Sequence, residues 1–520
     1  MDIKKLNFRS YEEAEKNFKW SDRWEVFDRD RDHLNIAHEC IERHPKDNIA
    51  IRLKRDDGGT EVYTFDQLSR WTSQFANMLE KIGIGQGDRV GIILHQSLPY
   101  YVSFFGCLKR GAVAVPCYAL LGPDGIEYRL KTAEAKMAIV AKNRAEIVKP
   151  GLVSHVIMAE DLIDKIEKED DKYETNTCAD TLALIQFSSG TTGQPKPLLY
   201  NHSAISVTAV FGKLWAGLRE GDRYMCTSSP AWGHGIWYGT VAPMIFGIGI
   251  GAFSGKFDPV VFMEGLEEFE INVVSAIPRV YQMMMESGKF DDYKLKLERC
   301  TYTGSNMEKE IEQFFLDKLD VYIGANYGNT ESGPIVIDFA FDDWKPMIGS
   351  SGKPMLGVKL GILDENDKEL PPNKTGQVAV WRKGQWNGIG DYGYFDEDGY
   401  FWPQGRSDDV IKSSGYRIGP FEIENSLEKH EAVERAAVVG SPHEELGELV
   451  KAFVILNKGY EPSDKLVKEI QLFVKTHLSM HEYPKEIEFI DEVPETPDGK
   501  LKRKVLKRKE YEKKGVPLPG

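Results

Sequence analysis

The strongest chemical signal in the chain is one loop, Ser188-Ser189-Gly190-Thr191-Thr192-Gly193-Gln194-Pro195-Lys196. Its glycines free the backbone to turn amides inward as an anion nest, its hydroxyls add donors, and Lys196 adds positive charge. The apolar run Leu182–Phe187 before it reads as a buried strand. A loop of this kind on a strand end suits a polyphosphate. A merely flexible polar turn would account for neither the strand nor the lysine. The glycine-to-lysine spacing is not the Walker order G-x-x-x-x-G-K-[ST], which disfavours a kinase or a motor NTPase.

Positioning such a loop takes a framework of strands and helices, and the first half of the chain supplies one. Arg89–Leu94, Ala112–Tyr118 and Met137–Ala141 read as buried strands, with Pro99–Leu108 and Gly125–Thr132 as helices between them. Strands separated by helices imply parallel sheets in an α/β arrangement. Tyr224–Thr227, Asn272–Ile277 and Val321–Ala325 are further strands. Near Gly349 the pattern changes to β: a hairpin from Lys359–Leu363 to Lys368–Leu370, then Gly376–Trp381 and Tyr400–Pro403, suggest a small barrel or meander. Beyond Arg406 a smaller α/β unit begins. Pro420 opens a helix with Glu422 and Glu424 in its first turn, where the dipole favours acids, and Ser463 caps another.

Composition narrows the function classes. At 520 residues the chain exceeds one ordinary domain. Its 66 basic against 81 acidic residues leave a formal charge of −15, which disfavours a nucleic-acid partner. The stretch between Arg223 and Lys256 has no charged side chain and is long enough to cross a bilayer, yet its prolines, glycines and His234 fit buried strands and helices instead. Six cysteines without a CxxC pair point to a reducing, cytoplasmic setting.

Five segments then resemble, in order, the motifs of the adenylate-forming superfamily, which includes acyl-CoA synthetases, luciferases and peptide-synthetase adenylation domains. Ser188–Lys196 is similar to its phosphate loop, and Tyr327-Gly328-Asn329-Thr330-Glu331 to its Y-G-x-T-E motif. Gly390-Asp391 with Gly405-Arg406-Ser407-Asp408-Asp409 resembles its ribose aspartate and hinge. Ser414-Gly415-Tyr416-Arg417-Ile418 and Pro497-Asp498-Gly499-Lys500 resemble the segment after the hinge and the loop of the catalytic lysine. Pro197, Asn329 and Trp386-Asn387-Gly388-Ile389 depart from the usual motifs.

The resemblance implies an α/β fold. A large N-terminal domain (1–407) would hold two α/β subdomains and a small β-barrel at about 350–407, and a smaller, mobile α+β C-terminal domain (408–520) would carry the lysine. It implies ATP, Mg²⁺ and coenzyme A, and a small carboxylic acid as substrate. Ser188, Ser189, Gly190, Thr191, Thr192, Gly193 and Lys196 would hold phosphate. Gly304, Ser305, Asn306, Asn326, Tyr327, Gly328, Asn329, Asp391 and Arg406 would hold the nucleotide. Lys500, Thr330 and Glu331 would be catalytic, with Glu331 also the metal ligand. Asp408 would be the hinge, and Ser414, Gly415, Tyr416 and Arg417 would meet coenzyme A. Acetate-specific relatives place a tryptophan where Gly328 stands, so a pocket deeper than acetate requires is expected, walled by Trp232, His234, Trp237, Ala276 and Ala325, with Ile236 and Ile277 also candidates. For His234 the competing reading is a hydrogen-bonded core histidine. No aspartate occurs in Trp232–Tyr238 to pair an amino acid's ammonium, which favours a free-standing acyl-CoA ligase over a peptide-synthetase module. An acyl-AMP ligase serving a carrier protein and a non-catalytic nucleotide-binding scaffold are the alternatives.

Overall fold

Local chemistry sets the helix ends from which the fold is assembled. Ser97 accepts from Tyr100 N–H, Pro99 sits in the first turn, and Gly111 (φ +76°) stops the helix Leu98–Arg110 in the left-handed conformation glycine tolerates. Thr64 and Gln67 form a reciprocal capping box at the start of Phe65–Lys81. Ser463 accepts from Leu466 N–H at 3.2 Å, as its position predicts. A computed structural model describes residues 6–187, 195–305, 307–329, 333–406, 409, 411–413, 416–443, 447–477, 483–496 and 500–517.

Two α/β layers form the first part of the chain. One sheet runs in the order His155–Met158, Ala135–Val140, Arg89–Ile93, Val113–Pro116, Leu182–Phe187, Pro197–Asn201, parallel except for its last strand. A nine-stranded sheet has a parallel centre that includes Tyr224–Cys226, Val273–Ala276, Arg299–Thr303 and Ile323–Asn329. The largest core joins the two sheets: Val90 and Ile92 of one, Ile51 and Leu53 of the other and the helix Leu98–Arg110 belong to one cluster. Burying Phe104 and Phe105 of that helix contributes roughly 1.5–3 kcal/mol each.

The charge-free stretch folds as strand Tyr224–Cys226, the π-helix His234–Val241, the turn of helix Ala242–Ile245 and strand Ile250–Ser254, all inside this core. No helix among the described residues is long and apolar enough to cross a membrane. The β-rich part is the meander rather than a closed barrel: Leu360–Leu363, Gly376–Arg382, Gln385–Phe395 and Phe401–Arg406 pair in sequence order, with no pairing of first to last strand among the described residues. The C-terminal unit has its own core of Ile411, Ile423, Val438, Val450, Ile470 and their neighbours. There the helix Pro420–Glu428 packs on the long hairpin Val433–His443 and Gly447–Leu456. All six cysteines are unpaired, and all but Cys178 are buried.

Candidate active site

A cavity of about 1100 Å³ opens where the carboxyl ends of two neighbouring parallel strands meet the C-terminal unit. Open α/β sheets bind ligands outside the carboxyl ends of their strands. The strand Arg299–Thr303 leads Tyr302, Thr303, Gly304 and Ser305 into the wall, and Ile323–Asn329 leads Ala325, Asn326, Tyr327 and Gly328. The Thr303 hydroxyl donates to Asn326 O at 3.0 Å and ties these strand ends together.

Across the cavity, Tyr327 and Asp391 form a pair that reading the sequence missed. The Tyr327 hydroxyl donates to Asp391 Oδ2 at 2.7 Å, and the tyrosine ring lies 4.7 Å from that of Phe401. Asp391 is opposite Arg406 in the ladder between Gln385–Phe395 and Phe401–Arg406. Asp391 is therefore tied through one oxygen to Tyr327, and both residues line the cavity.

Lys500 reaches the same cavity from the C-terminal unit. Its backbone is clasped by Thr496, which donates N–H to Lys500 O at 2.9 Å and accepts Lys500 N–H on Oγ1 at 3.0 Å. The ammonium lies 5.1 Å from the centroid of the Trp232 ring. Gly304 (φ +103°) leaves room for this ring, because a Cβ there would come 2.8 Å from the indole.

Three residues on stands Arg503. Its guanidinium is bidentate to Glu424 and 3.5 Å from Asp409. Glu424 in turn accepts Val438 N–H at 2.8 Å. Its acid serves this buried network rather than the helix dipole. The carboxylates hold the Arg503 guanidinium even more firmly charged than usual, against the opposing effect of burial.

Of the proposed acyl wall, Trp232, His234, Trp237, Ala325 and Gly328 line the cavity. Ala276 does not: it is fully buried with Met225, Phe262 and Val274, because alternation along its strand turns its side chain into the core. Ile236 is likewise core, and Ile277 faces a second cavity. His234 fits the core reading. Its Nδ1 pairs with Ser228 Oγ at 2.7 Å and its Nε2 with Ser275 Oγ at 2.8 Å, while burial pushes its pKa down to about 3. The imidazole is therefore neutral and fully engaged. Gly328 also has a local cause: a Cβ there would meet Gly333 O at 2.2 Å, so the passing strand, rather than pocket depth, requires glycine.

The second cavity, about 290 Å³, is bounded by His95, Gln96, Tyr118, Phe253 and Phe257 among others, and Trp232 belongs to both walls. Lys196 lines the larger cavity. Ser188, Ser189, Gly190, Thr191, Thr192, Gly193, Asn306, Thr330, Glu331, Asp408, Ser414 and Gly415 lie outside the described residues, as do the side chains of Asn329, Arg406, Tyr416 and Arg417. Among the described residues only Asp28, His38 and Glu39 are grouped at metal-ligand spacing. Arg43 already neutralises Glu39 at 2.6 Å, and none of the three lines either cavity.

Family models match along most of the chain: "AMP-binding enzyme" over residues 37–389 and "AMP-binding enzyme C-terminal domain" over 422–500. An acetyl-coenzyme A synthetase of Bacillus subtilis is 34% identical, with 96% of this chain and 95% of that protein covered. The mitochondrial acyl-coenzyme A synthetase ACSM3 of Rattus norvegicus is 34% identical over 97% and 94% of the two chains. Among solved structures, a Brucella canis acyl-CoA synthetase superposes with a TM-score of 0.75 at 29% identity, covering 98% of this chain and 100% of that one. The anthranilate CoA ligase AuaEII in complex with anthranoyl-AMP gives a TM-score of 0.85 at 26% identity, covering 96% and 100%. With a two-unit α/β fold, a cavity at strand carboxyl ends and a lysine delivered from the C-terminal unit, this chain belongs to the AMP-binding enzyme family, as an AMP-forming acyl-CoA synthetase.

Proposed function

We propose that the enzyme uses ATP and Mg²⁺ to adenylate a carboxylic acid larger than acetate, with an alkyl, alicyclic or aryl group, and then passes the acyl group to coenzyme A. The observation that carries this reading is Lys500 of the C-terminal unit lying in the wall of the cavity that Asp391 and Tyr327 also line. In the first half-reaction a carboxylate oxygen attacks the α-phosphorus and the bond to pyrophosphate breaks. Bringing two anions together requires compensating charge and fixed geometry. Lys500 supplies the charge beside the reacting atoms, Lys196 and the loop Ser188–Gly193 hold the outgoing phosphates, and Thr330 donates to the α-phosphate. Asp391, braced by Tyr327, accepts from the ribose hydroxyls, and Gly304, Ser305 and Asn326 border the base. Mg²⁺ bound at Glu331 would neutralise phosphate charge.

In the second half-reaction the thiol sulfur attacks the acyl carbonyl and AMP leaves. A swing of the C-terminal unit about Asp408, at the boundary between 1–407 and 408–520, would withdraw Lys500 and bring Ser414–Arg417 to the thiol's path. The smaller cavity, reaching Trp232 from the other side, supports a separate approach for that thiol. An acyl group beyond acetate is supported by the lobe of Tyr200, Ala204, Val207, Trp237 and Tyr238; each buried methylene contributes about 0.8 kcal/mol there. Six unpaired cysteines support a cytoplasmic enzyme.

The test is AMP formation with ATP, Mg²⁺ and CoA against acetate, butyrate, hexanoate, octanoate, cyclohexanecarboxylate and benzoate. A CoA-dependent maximum beyond acetate is expected. Acetate as the sole substrate overturns the size reading. Pyrophosphate exchange without acyl-CoA product indicates a carrier-protein acceptor, and no turnover with any acid indicates a scaffold. Chelation of Mg²⁺ should abolish turnover.

A further inference from the structure

We propose that Trp232 is the seat that positions Lys500 for adenylation, and that Gly304 is glycine in order to admit its indole. The proposal rests on Lys500 being the adenylation lysine. A lysine ends in a point charge on a flexible four-carbon stem, so its usefulness depends on what fixes each end. Thr496 fixes the base of the stem through two backbone-level hydrogen bonds, within the C-terminal unit. The tip lies 5.1 Å from the Trp232 ring centroid, inside the range in which an ammonium is attracted to an aromatic face.

The indole is itself held rigidly. It meets the His234 ring edge-on at 5.4 Å, and His234 is locked by Ser228 and Ser275. Gly304, at φ +103°, comes so close that a methyl group would press on the indole at 2.8 Å, while lying at an ordinary contact distance of 3.7 Å from Lys500 Cε. A preorganised aromatic face on the large unit thus receives a cation from the small one. The contact exists only while the C-terminal unit is docked, so its benefit falls on adenylation. Trp232 acts here as a positioning residue, through Lys500.

The experiment measures ATP–pyrophosphate exchange by the full-length enzyme and its Trp232→Leu, Trp232→Phe, Gly304→Ala and Lys500→Ala variants, with thermal unfolding recorded for each. Trp232→Leu is expected to lower the exchange kcat roughly tenfold, the rate equivalent of a partly desolvated cation–π contact. The factor should be the same for every acid accepted, with KM for ATP changed by less than about twofold. Trp232→Phe should restore most of the rate, and Gly304→Ala should reproduce the loss by displacing the ring. In the Lys500→Ala background, Trp232→Leu should cost nothing further. An undiminished kcat in Trp232→Leu overturns the seat. A loss that varies with the acid, or that persists fully without Lys500, makes Trp232 a pocket wall only. If Trp232→Leu does not fold, the Phe and Gly304 variants decide the matter by the same criteria. Normal exchange by Lys500→Ala removes the lysine from adenylation, which is a distinguishable failure.

Discussion

Replacing Arg503 with methionine tests whether the segment that carries Lys500 is anchored by a buried charge network. Wild-type Arg503 makes two N–H contacts to Glu424 and lies 3.5 Å from Asp409, with side chains 18%, 4% and 15% exposed. Methionine keeps most of the apolar stem and removes the charge. Glu424 then retains only Val438 N–H as a described donor, and Asp409 loses this cation. Removing one partner of a buried pair costs 3–5 kcal/mol, and because water reaches part of Arg503 the lower end, about 3 kcal/mol, applies. The described tryptophans all precede the C-terminal unit, so fluorescence would miss a loss confined there. Hydrogen exchange of the amides in Val433–His443 and Gly447–Leu456, the hairpin beside Glu424, reads it directly. Exchange about a hundredfold faster is expected, together with slower adenylation as Lys500 loses its anchor. Adding Glu424→Gln removes the orphaned charge while its amide oxygen still accepts from Val438, so most of the protection should return. Unchanged exchange in Arg503→Met would falsify the anchoring argument. So would a double variant no better than the single one.

Three further outcomes follow from particular contacts. Lys429 and Glu310 pair across the two units at 2.6 Å but are about half exposed, so Glu310→Lys should slow adenylation only two- to five-fold, and Glu310→Lys with Lys429→Glu should restore it; the half-reaction rates at low salt decide. Burial raises the Glu312 pKa to about 8, so relative to the unfolded chain its contribution to stability is intact below about pH 4.5 and is lost as pH rises to 8; Glu312→Gln, which keeps an acceptor for Gly349 N–H, should flatten the fall of Tm across that window. Cys178 is the one incompletely buried thiol, so a disulfide reagent should titrate one fast thiol in the native enzyme and six in urea; several fast thiols would contradict the packing.

What the sequence determined alone was whatever depends on neighbours in the chain. Ser97, Pro99 and Gly111 delimit a helix because capping is local. Leu182–Phe187 is a strand because all of it but Gln186 is apolar, and the residue types of the loop after it suit a phosphate. The motif order indicated which segments would meet, and Lys500, Asp391 and Tyr327 do line one cavity. Only the tertiary structure decided which partner each side chain finds. Tyr327 braces Asp391 across 64 residues, and Arg503 is held by Glu424 across 79; no local pattern encodes pairings at that separation. Ala276 and Ala325 stand level on one face of the sheet, on either side of Tyr302, and belong to one core, yet only Ala325 also borders the cavity, since place across the sheet rather than local pattern decides which packed residue meets it. Gly328 and Gly304 look alike in sequence. One makes way for a passing strand and the other for an indole, because a glycine reports a close approach without naming what approaches.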